Sequence, residues 1–397
     1  MAPLREIIHF DLDAFFCAVE ENRDPSLRDR AFAVGGRPDE RGVVASCSYA
    51  ARISGVRSAM PMGRALKLCP HLLIISGHYR LYREASHQVM EIIHEVTPLV
   101  EQISIDEAFL DVTDLPDSGE QISRMLQTKI LEELNLPCSF GIASNKLVAK
   151  IATNIGKSGA QDKGKPPNAI LVVPPGEESS FLAPLPIESL WGVGPKTATV
   201  LSEMGLRTIG DIARLPETTL IDRFGKFGYE LALRSRGIDD RPVTTEHIIK
   251  SISQETTFIK DVKERQTLVD TLHQLADQVV RRLQKHHFEC TTIKLKLRWS
   301  NFTTISRQVT LLHPTDQPEI IFEEVRRLFL IEWTSSAPVR LIGVGVSGLS
   351  PHQLNLWESA TEEQRKERER RLNIAVQDLR DRYGDQIIQV GGENNHD

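Results

Sequence analysis

The sequence predicts a multidomain chain that mixes α/β and α+β architecture. Three observations carry that reading. Two apolar, β-prone runs, 7–16 and 101–111, hold carboxylates and alternate with helical patterns that could cover one shared sheet. The stretch 186–216 reads as helix, Gly-Val-Gly hairpin, helix. Residues 291–299 alternate strictly, with Ile293, Leu295, Leu297 and Trp299 on one face and Lys294, Lys296 and Arg298 on the other. A length of 397 residues is a prior for about two or three domains.

In the run Glu101–Asp111 two acids, Asp106 and Glu107, are adjacent. Neighbouring side chains of a strand point to opposite faces, so one acid would face a core, where an unpaired charge is costly. A tight turn at Ile105-Asp106 removes the conflict and lets both acids converge. Taken alone, a solvated hairpin tip would show the same residues. The run Ile7–Phe16 supplies Asp11 and Asp13. As a strand beside the 104–112 hairpin, it would set Asp11 next to Asp106. Asp11, Asp106 and Glu107 could then hold two magnesium ions, hard cations that take oxygen ligands. Such a pair stabilises the attacking and leaving oxygens of an in-line phosphoryl displacement. A chain that turns after Leu12 leaves Asp13 a structural role, such as a cap.

Residues 18–77 read as a small insertion. Within it, 32–36 and 42–46 read as two strands, and 48–53 as a short helix with Tyr49 and Arg52 on one face. Helices follow over 79–96, with Tyr82, Val89, Ile93 and Val96 as plain core, and over 122–134. Residues 138–142 read as a strand, with Ser144 as N-cap of a helix bearing Lys146, Lys150 and, beyond it, Lys157. Three lysines on one side could be only a solvated face. Residues 161–175 read as a loop, 211–237 as further helices and 238–251 as a charged linker. Then come a strand at 252–258, a helix at 266–285 with Leu268, Leu272, Leu275 and Leu283 inward, a strand at 306–312, a helix at 318–330 and a strand at 339–347. That pattern is a compact sheet with helices on one side and a basic open face, with Arg307 nearby. Solubility alone could explain the face; DNA tracking explains it better.

A net charge of -6 does not advertise a polyanion binder. An acid cluster and an acidic tail can nevertheless mask a local basic groove. The five cysteines (Cys17, Cys47, Cys69, Cys138, Cys290) are scattered without a CxxC pair, which fits a reducing, cytoplasmic compartment and argues against zinc. No apolar run reaches the length of a membrane span, and the N-terminus lacks the layout of a signal peptide.

The pairing of Phe10-Asp11-Leu12-Asp13-Ala14-Phe15-Phe16-Cys17-Ala18-Val19-Glu20 with Ser104-Ile105-Asp106-Glu107-Ala108-Phe109-Leu110-Asp111 closely resembles the Y-family DNA polymerases of the bacterial polymerase IV type. Three further stretches match that family in its order: Ser48–Arg52, Gly141–Lys146 and Leu190–Lys196. The resemblance covers residues 7–348. It implies a right-hand polymerase with a palm at 1–17 and 78–165, small fingers at 18–77 and a helical thumb with a helix-hairpin-helix at 166–237. A linker at 238–251, a little finger at 252–348 and a tail at 349–397 would follow. The implied activity is template-directed, low-fidelity translesion DNA synthesis without proofreading, by two-metal nucleotidyl transfer. Its implied partners are primed template DNA and deoxynucleoside triphosphates, and the chain is expected to be a monomer.

The resemblance also assigns residues. Asp11, Asp106 and Glu107 become catalytic, and with the Leu12 carbonyl they hold two magnesium ions, manganese being a substitute. Phe15, Phe16, Tyr49, Arg52 and Lys157 meet the incoming nucleotide, and the side of the helix that bears Lys146 and Lys150 lies toward DNA phosphates. An arginine fork suits phosphate oxygens, and Phe16 is the steric gate under the deoxyribose. Gly192, Gly194 and Lys196 of the hairpin, and Lys294, Lys296, Arg298 and Arg307 of the last domain, contact DNA. Glycines let backbone approach a phosphate at a helix N-terminus. In the tail, Gln353-Leu354-Asn355-Leu356-Trp357 resembles the short peptide by which bacterial polymerases dock on the sliding clamp. Gln353 would fix register while Leu354, Leu356 and Trp357 fill apolar pockets. A charged helix is expected over 361–383. Two rivals stand against this reading. Phe10–Asp13 also resembles the opening of haloacid-dehalogenase-type phosphatases, in which Asp11 would be phosphorylated, but those continue with Gly-Thr and this chain with Ala14-Phe15. A non-catalytic DNA- or clamp-binding scaffold would be marked by a broken acid triad, and all three acids are present.

Overall fold

The computed structural model describes residues 5–159, 164–246, 248–333 and 337–351, with Arg371 and Ala375. The chain divides into two compact units, Met1–His247 and Ile248–Asp397. The first runs β1 (Ile7–Leu12), α1 (Phe15–Arg23), β2 (Phe32–Gly35), β3 (Val44–Cys47), α2 (Tyr49–Ile53), α3 (Met62–Leu68), β4 (Leu73–Ile75), α4 (Tyr79–His94), β5 (Val100–Gln102), β6 (Glu107–Asp111), α5 (Gly119–Leu134), β7 (Cys138–Ala143), α6 (Lys146–Gly159) and β8 (Ile170–Val172). It ends in five short helices, α7 (Glu178–Leu182), α8 (Pro195–Glu203), α9 (Ile209–Arg214), α10 (Glu217–Phe224) and α11 (Lys226–Ser235).

The central sheet has the order β5-β6-β1-β7-β8. Alternation along β1 explains why both its faces are covered. Ile8, Phe10 and Leu12 join the core that holds the buried residues of α1, α4 and α5. Ile7 and Phe109 join a second core with α6 and the helices beyond residue 178. His9 and Asp11 share the Ile7 face. The loop expected at 161–175 contains β8 instead, which pairs in parallel with β7, Phe140 opposite Ile170. The apolar triplet Ile170-Leu171-Val172 extends the sheet's edge. The cap of α6 also differs from expectation. Asn145 accepts the Val148 N–H at 3.0 Å, whereas the Ser144 hydroxyl donates to Glu178 at 2.5 Å. The small sheet β3-β2-β4, backed by α2 and α3, lies within residues 32–75 and has a core of its own, whereas Ala18 and Val19 of α1 pack into the first core.

Gly141 decides how close α6 can come. A Cβ there would stand 2.1 Å from the Ala149 carbonyl oxygen and 2.5 Å from the Thr153 nitrogen. Only glycine permits that approach. In the helix-hairpin-helix segment the first helix shrinks to a single 3-10 turn, Ile187–Ser189. Gly192 then turns with φ +104°, outside the range of L side chains.

The second unit runs β9 (Ser251–Val262), α12 (Arg265–Lys285), β10 (Phe288–Trp299), β11 (Thr304–Thr315), α13 (Pro318–Glu332) and β12 (Val339–Pro351). Its antiparallel sheet has the order β11-β10-β12-β9. Ile293, Leu295 and Leu297 are buried with Leu268, Leu272, Leu275 and Leu283 of α12 and Ile321 and Val325 of α13. Among the described residues no helix is long and apolar enough to cross a membrane. Gln353, Leu354, Leu356 and Trp357, and all of 361–383 except Arg371 and Ala375, lie outside the described residues.

Candidate active site

Three elements bring the acids to one end of the sheet. Register sets Asp11 opposite Glu107 on one side and Ser139 on the other. The β5–β6 hairpin closes through Ile103 N–H to the Glu107 carbonyl at 3.0 Å, and Leu12 N–H donates to the Asp106 carbonyl at 2.9 Å. Asp106 thus sits at the turn, beside Asp11.

Helix α6 lies across this face and presents Lys146, Lys150, Thr153 and Lys157, spaced one turn apart. The outcome is a ladder of polar contacts. Lys146, itself buried, pairs with Glu101 at 2.7 Å. Lys150 pairs with Glu107 at 2.5 Å and lies 3.3 Å from His9 Nε2. Thr153 Oγ1 is 2.9 Å from His9 Nδ1. Lys157 pairs with Asp11 at 2.5 Å and Asp13 at 2.9 Å. This corrects the expectation that the lysine side lies toward DNA phosphates: it faces the acids of its own sheet. Asp13 is fully buried, accepting from the Ser139 hydroxyl and the Asn168 N–H, and so ties β1 to β7 and to the strand that follows.

The charges follow from these contacts. The hydrogen bond from His9, and then the pairing with Lys150, hold Glu107 down to about 2 against the opposing pull of burial. Burial pushes the His9 imidazole down, so the ring is neutral at neutral pH. Burial pushes the Asp106 carboxyl up; the Ser104 hydroxyl, 2.5 Å away, opposes this, and the charges of Asp11 and Glu107 add to it. Burial alone would lower Lys157, but the pull of Asp11 and Asp13 outweighs it and raises the ammonium. Asp106 is therefore the acid least at ease with its charge.

A cavity of about 320 Å³ opens beside these acids. Asp11, Leu12, Phe15, Phe16, Ala45, Ser46, Arg52, Asp106 and Lys157 are among its lining. Glu107 does not line it, being turned to Lys150 and His9. Among the described residues no three His, Cys, Asp or Glu side chains stand as a ready metal cluster. The donor set nonetheless fits a hard divalent cation. All its ligands are oxygens, two of the acids already carry ammonium counter-charges, and a cation would relieve Asp106. Tyr49 lines an adjacent cavity of about 240 Å³ with Asp13 and Ala14. Its buried hydroxyl has no hydrogen-bond partner, and the Arg52 guanidinium lies 4.4 Å over its ring.

Sequence reasoning missed His9, Ser104 and the role of Lys150. His9 was visible as the residue two before Asp11, hence on the same strand face. Ser104 and Lys150 needed the register and the height of α6.

The DNA-contact candidates divide. Gly192, Gly194 and Lys196 are exposed, and Gly194 is the N-cap of α8 with Pro195 at its first position. Lys294, Lys296 and Arg298 share the open face of the second sheet, where Gly345 and Gly343 oppose Lys294 and Lys296 on β12. Lys296 pairs there with Glu255 at 2.6 Å. Arg307 is a correction. It stands opposite Leu295, on the helix-covered face, and its guanidinium bonds Glu332 of α13 at 2.8 Å.

A model of the impB/mucB/samB family matches residues 10–154, and that of the family's C-terminal domain matches residues 249–366. A model of the IMS family HHH motif matches residues 175–206. A protein of Desulfatibacillum aliphaticivorans named DNA polymerase IV is 40% identical over 390 residues, 96% of this chain and 95% of that relative. The chain belongs to the impB/mucB/samB family. Another member named DNA polymerase IV, from Streptomyces coelicolor, is 40% identical over 91% of this chain and 74% of its own length. In fold the chain is similar to a Y-family DNA polymerase chimera of Dbh and Dpo4, with a TM-score of 0.77 and 24% identity over 87% of this chain and 99% of the chimera. The right-hand polymerase fold of the Y-family is thus the fold of this impB/mucB/samB chain. Nothing in these matches favours the phosphatase alternative.

Proposed function

We propose that this chain is a DNA-directed DNA polymerase that extends a primed template with deoxynucleoside triphosphates, tolerates lesions and does not proofread. The observation that carries the reading is the single cavity on which Asp11, Asp106, Phe16, Arg52 and Lys157 border, in a chain of this family. Residues 1–17 and 78–165 would act as palm, 18–77 as fingers, 166–237 as thumb and 252–348 as little finger, joined by the linker 238–251.

Asp11, Asp106, Glu107 and the Leu12 carbonyl would hold two magnesium ions, or manganese, whose charge acidifies the primer's 3′-hydroxyl and offsets the phosphates. The rest falls to side chains. The Arg52 fork and the Tyr49 hydroxyl would receive phosphate oxygens, which gives the buried hydroxyl the partner it lacks. Lys157 would pass from Asp11 to the triphosphate without losing an anionic partner, because Asp13 stays with it. Phe16 would lie under the sugar and exclude a 2′-hydroxyl. Ala45 and Ser46 are small, and a roomy pocket beside the base supports lesion tolerance and low fidelity. The exposed hairpin and the Lys294–Arg298 face would hold DNA by its phosphates, without reading sequence. The tail peptide Gln353–Trp357 would dock on a sliding clamp.

The test is extension of a primed template by the purified chain, with and without magnesium, with Asp106→Ala as control. Magnesium-dependent extension that Asp106→Ala abolishes while DNA binding persists is the expected result. Wild-type-like extension by the variant would refute the assignment.

A further inference from the structure

The cavity leaves one question: what holds the Phe16 ring. Phe16 is the second residue of α1, which starts directly after Ala14, whose φ of 48° turns the chain sharply out of β1. Its ring is stacked on Tyr82 of α4, with centroids 4.3 Å apart and planes 12° from parallel. Tyr79 meets it edge-on at 5.9 Å. One face of the ring is therefore closed by Tyr82, while Phe16 itself borders the cavity.

Tyr82 is in turn held by a carboxylate. Its hydroxyl donates to Glu20 at 2.5 Å. Glu20 lies four residues after Phe16, on the same side of α1, and is 0% exposed. His78 Nδ1 lies 2.8 Å from the same oxygen, and Arg23 lies 3.3 Å from the other. A carboxylate buried this deeply is costly, and apolar replacements of buried ionic groups are often neutral or stabilising. Packing alone therefore gives no reason for an acid here. Its geometry gives one, because without the tether a Tyr82 ring held only by dispersion could slide under Phe16.

We propose that Glu20 is a positioning residue for sugar selection: by anchoring the Tyr82 hydroxyl it fixes the ring on which Phe16 is stacked, and so sets the clearance above the nucleotide's C2′. The inference rests on the reading of Phe16 as the gate. It adds a second layer, Phe16 to Tyr82 to Glu20, running from the cavity into the core.

The readout is the ratio of ribonucleotide to deoxyribonucleotide kcat/KM in single-nucleotide extension. Tyr82→Phe and Glu20→Met each cut the tether, while Glu20→Gln keeps an acceptor for the hydroxyl. Tyr82→Phe and Glu20→Met should each raise the ratio about tenfold, the weight of one hydrogen bond to a charged group. The gain should come through a lower KM for the ribonucleotide. The double variant should go no further than either single one, since the two groups act as a unit. Glu20→Gln should stay within about twofold of wild type. A general loss of packing would slow both substrates and leave the ratio where it was. Phe16→Ala separates the two levels. If it raises the ratio and a folded Tyr82→Phe does not, or if the double variant is additive, Glu20 does not position the gate and the gate itself stands. If Phe16→Ala leaves the ratio unchanged, the gate reading and this inference fall together. Should Glu20→Met not fold, Tyr82→Phe, which keeps the ring and its volume, decides alone.

Discussion

A single methyl group at Gly141 should dismantle the site without touching any candidate catalytic residue. Gly141 on β7 faces α6, opposite His9 on β1. The added Cβ of Gly141→Ala would stand 2.1 Å from Ala149 O, 2.5 Å from Thr153 N and 2.7 Å from Thr153 Oγ1. An ordinary contact needs at least about 3.2 Å, so α6 must retreat by about 1 Å. Two of the three atoms are helix backbone, and no rotamer change can relieve them. Overpacking by a methylene costs about 1–3 kcal/mol where side chains can yield, and a backbone clash should reach about 3 kcal/mol or more. The same retreat stretches the 2.5 Å contacts of Lys150 with Glu107 and Lys157 with Asp11 past hydrogen-bonding range. A shift of that size at a catalytic constellation can cost about 100-fold in rate. Urea unfolding reads the first effect and single-nucleotide extension the second. Gly156→Ala is the control on the same helix. Its Cβ would meet only Ala169 Cβ at 3.2 Å and Leu171 Cβ at 3.4 Å, so it should stay within about 1 kcal/mol of wild type. Wild-type stability and rate in Gly141→Ala would refute the close approach of α6 as the source of the site's geometry.

Three further outcomes are expected. Glu107 is held at about 2, below its ordinary 4.5, so its contribution is complete above that ordinary value and is lost as pH falls from there through about 2. That drop corresponds to about 3 kcal/mol at most, shared by His9 and Lys150; Lys150→Met in EDTA should flatten the acid limb of urea-unfolding stability between pH 5 and 3, and identical limbs would show that the pair carries none of it. Lys294→Ala should lower the salt slope of DNA binding by about one phosphate contact, whereas Arg307→Ala should leave it unchanged because Glu332 holds that guanidinium on the helix side; an equal loss from both would contradict the division of faces. Replacing Leu356 and Trp357 by Ala together should lower clamp-stimulated synthesis while clamp-independent incorporation holds; a parallel fall of both, or a sharp drop in thermal stability, would place the peptide in a core.

What was legible in the sequence was whatever depends on short-range pattern. The strict alternation of 291–299 gives the two faces of β10, and leucines at helical spacing give the buried side of α12. The acid runs locate β1 and the β5–β6 hairpin because a charge in a strand demands either a turn or a partner. The errors share another cause. Arg307 was placed on the basic face by nearness in sequence, yet its side is set by pairing register, and one residue of slip exchanges the faces. Ser144 and Asn145 are both good caps, and the choice between them is made by Glu178, which takes the Ser144 hydroxyl. The lysines of α6 were read outward because an unpartnered lysine belongs in solvent. Their partners lie far away along the chain, in β1, β5 and β6, and only the Gly141 approach brings them within reach.

That reversal also bears on the net charge of -6. Were the α6 lysines a DNA-facing stripe, the acid cluster would stand bare, and three close carboxylates in a half-buried setting repel one another. As placed, Lys157 and Lys150 neutralise Asp11 and Glu107 in the absence of any ligand, and Asp106 is the acid that burial disfavours. On the proposed function, the site could therefore fold before cation and triphosphate arrive and would still have a reason to take them up. Cationic side chains spent inside the first unit cannot also bind DNA. On the proposed function, that task would fall to groups whose charge is local or partial: the exposed glycine hairpin, whose helix N-terminus presents backbone N–H groups, and the open face around Lys294. Neither needs a positive total. What a duplex senses at physiological salt is the charge within about 8 Å of its phosphates, and an acidic chain can hold DNA if its acids are turned inward onto its own lysines.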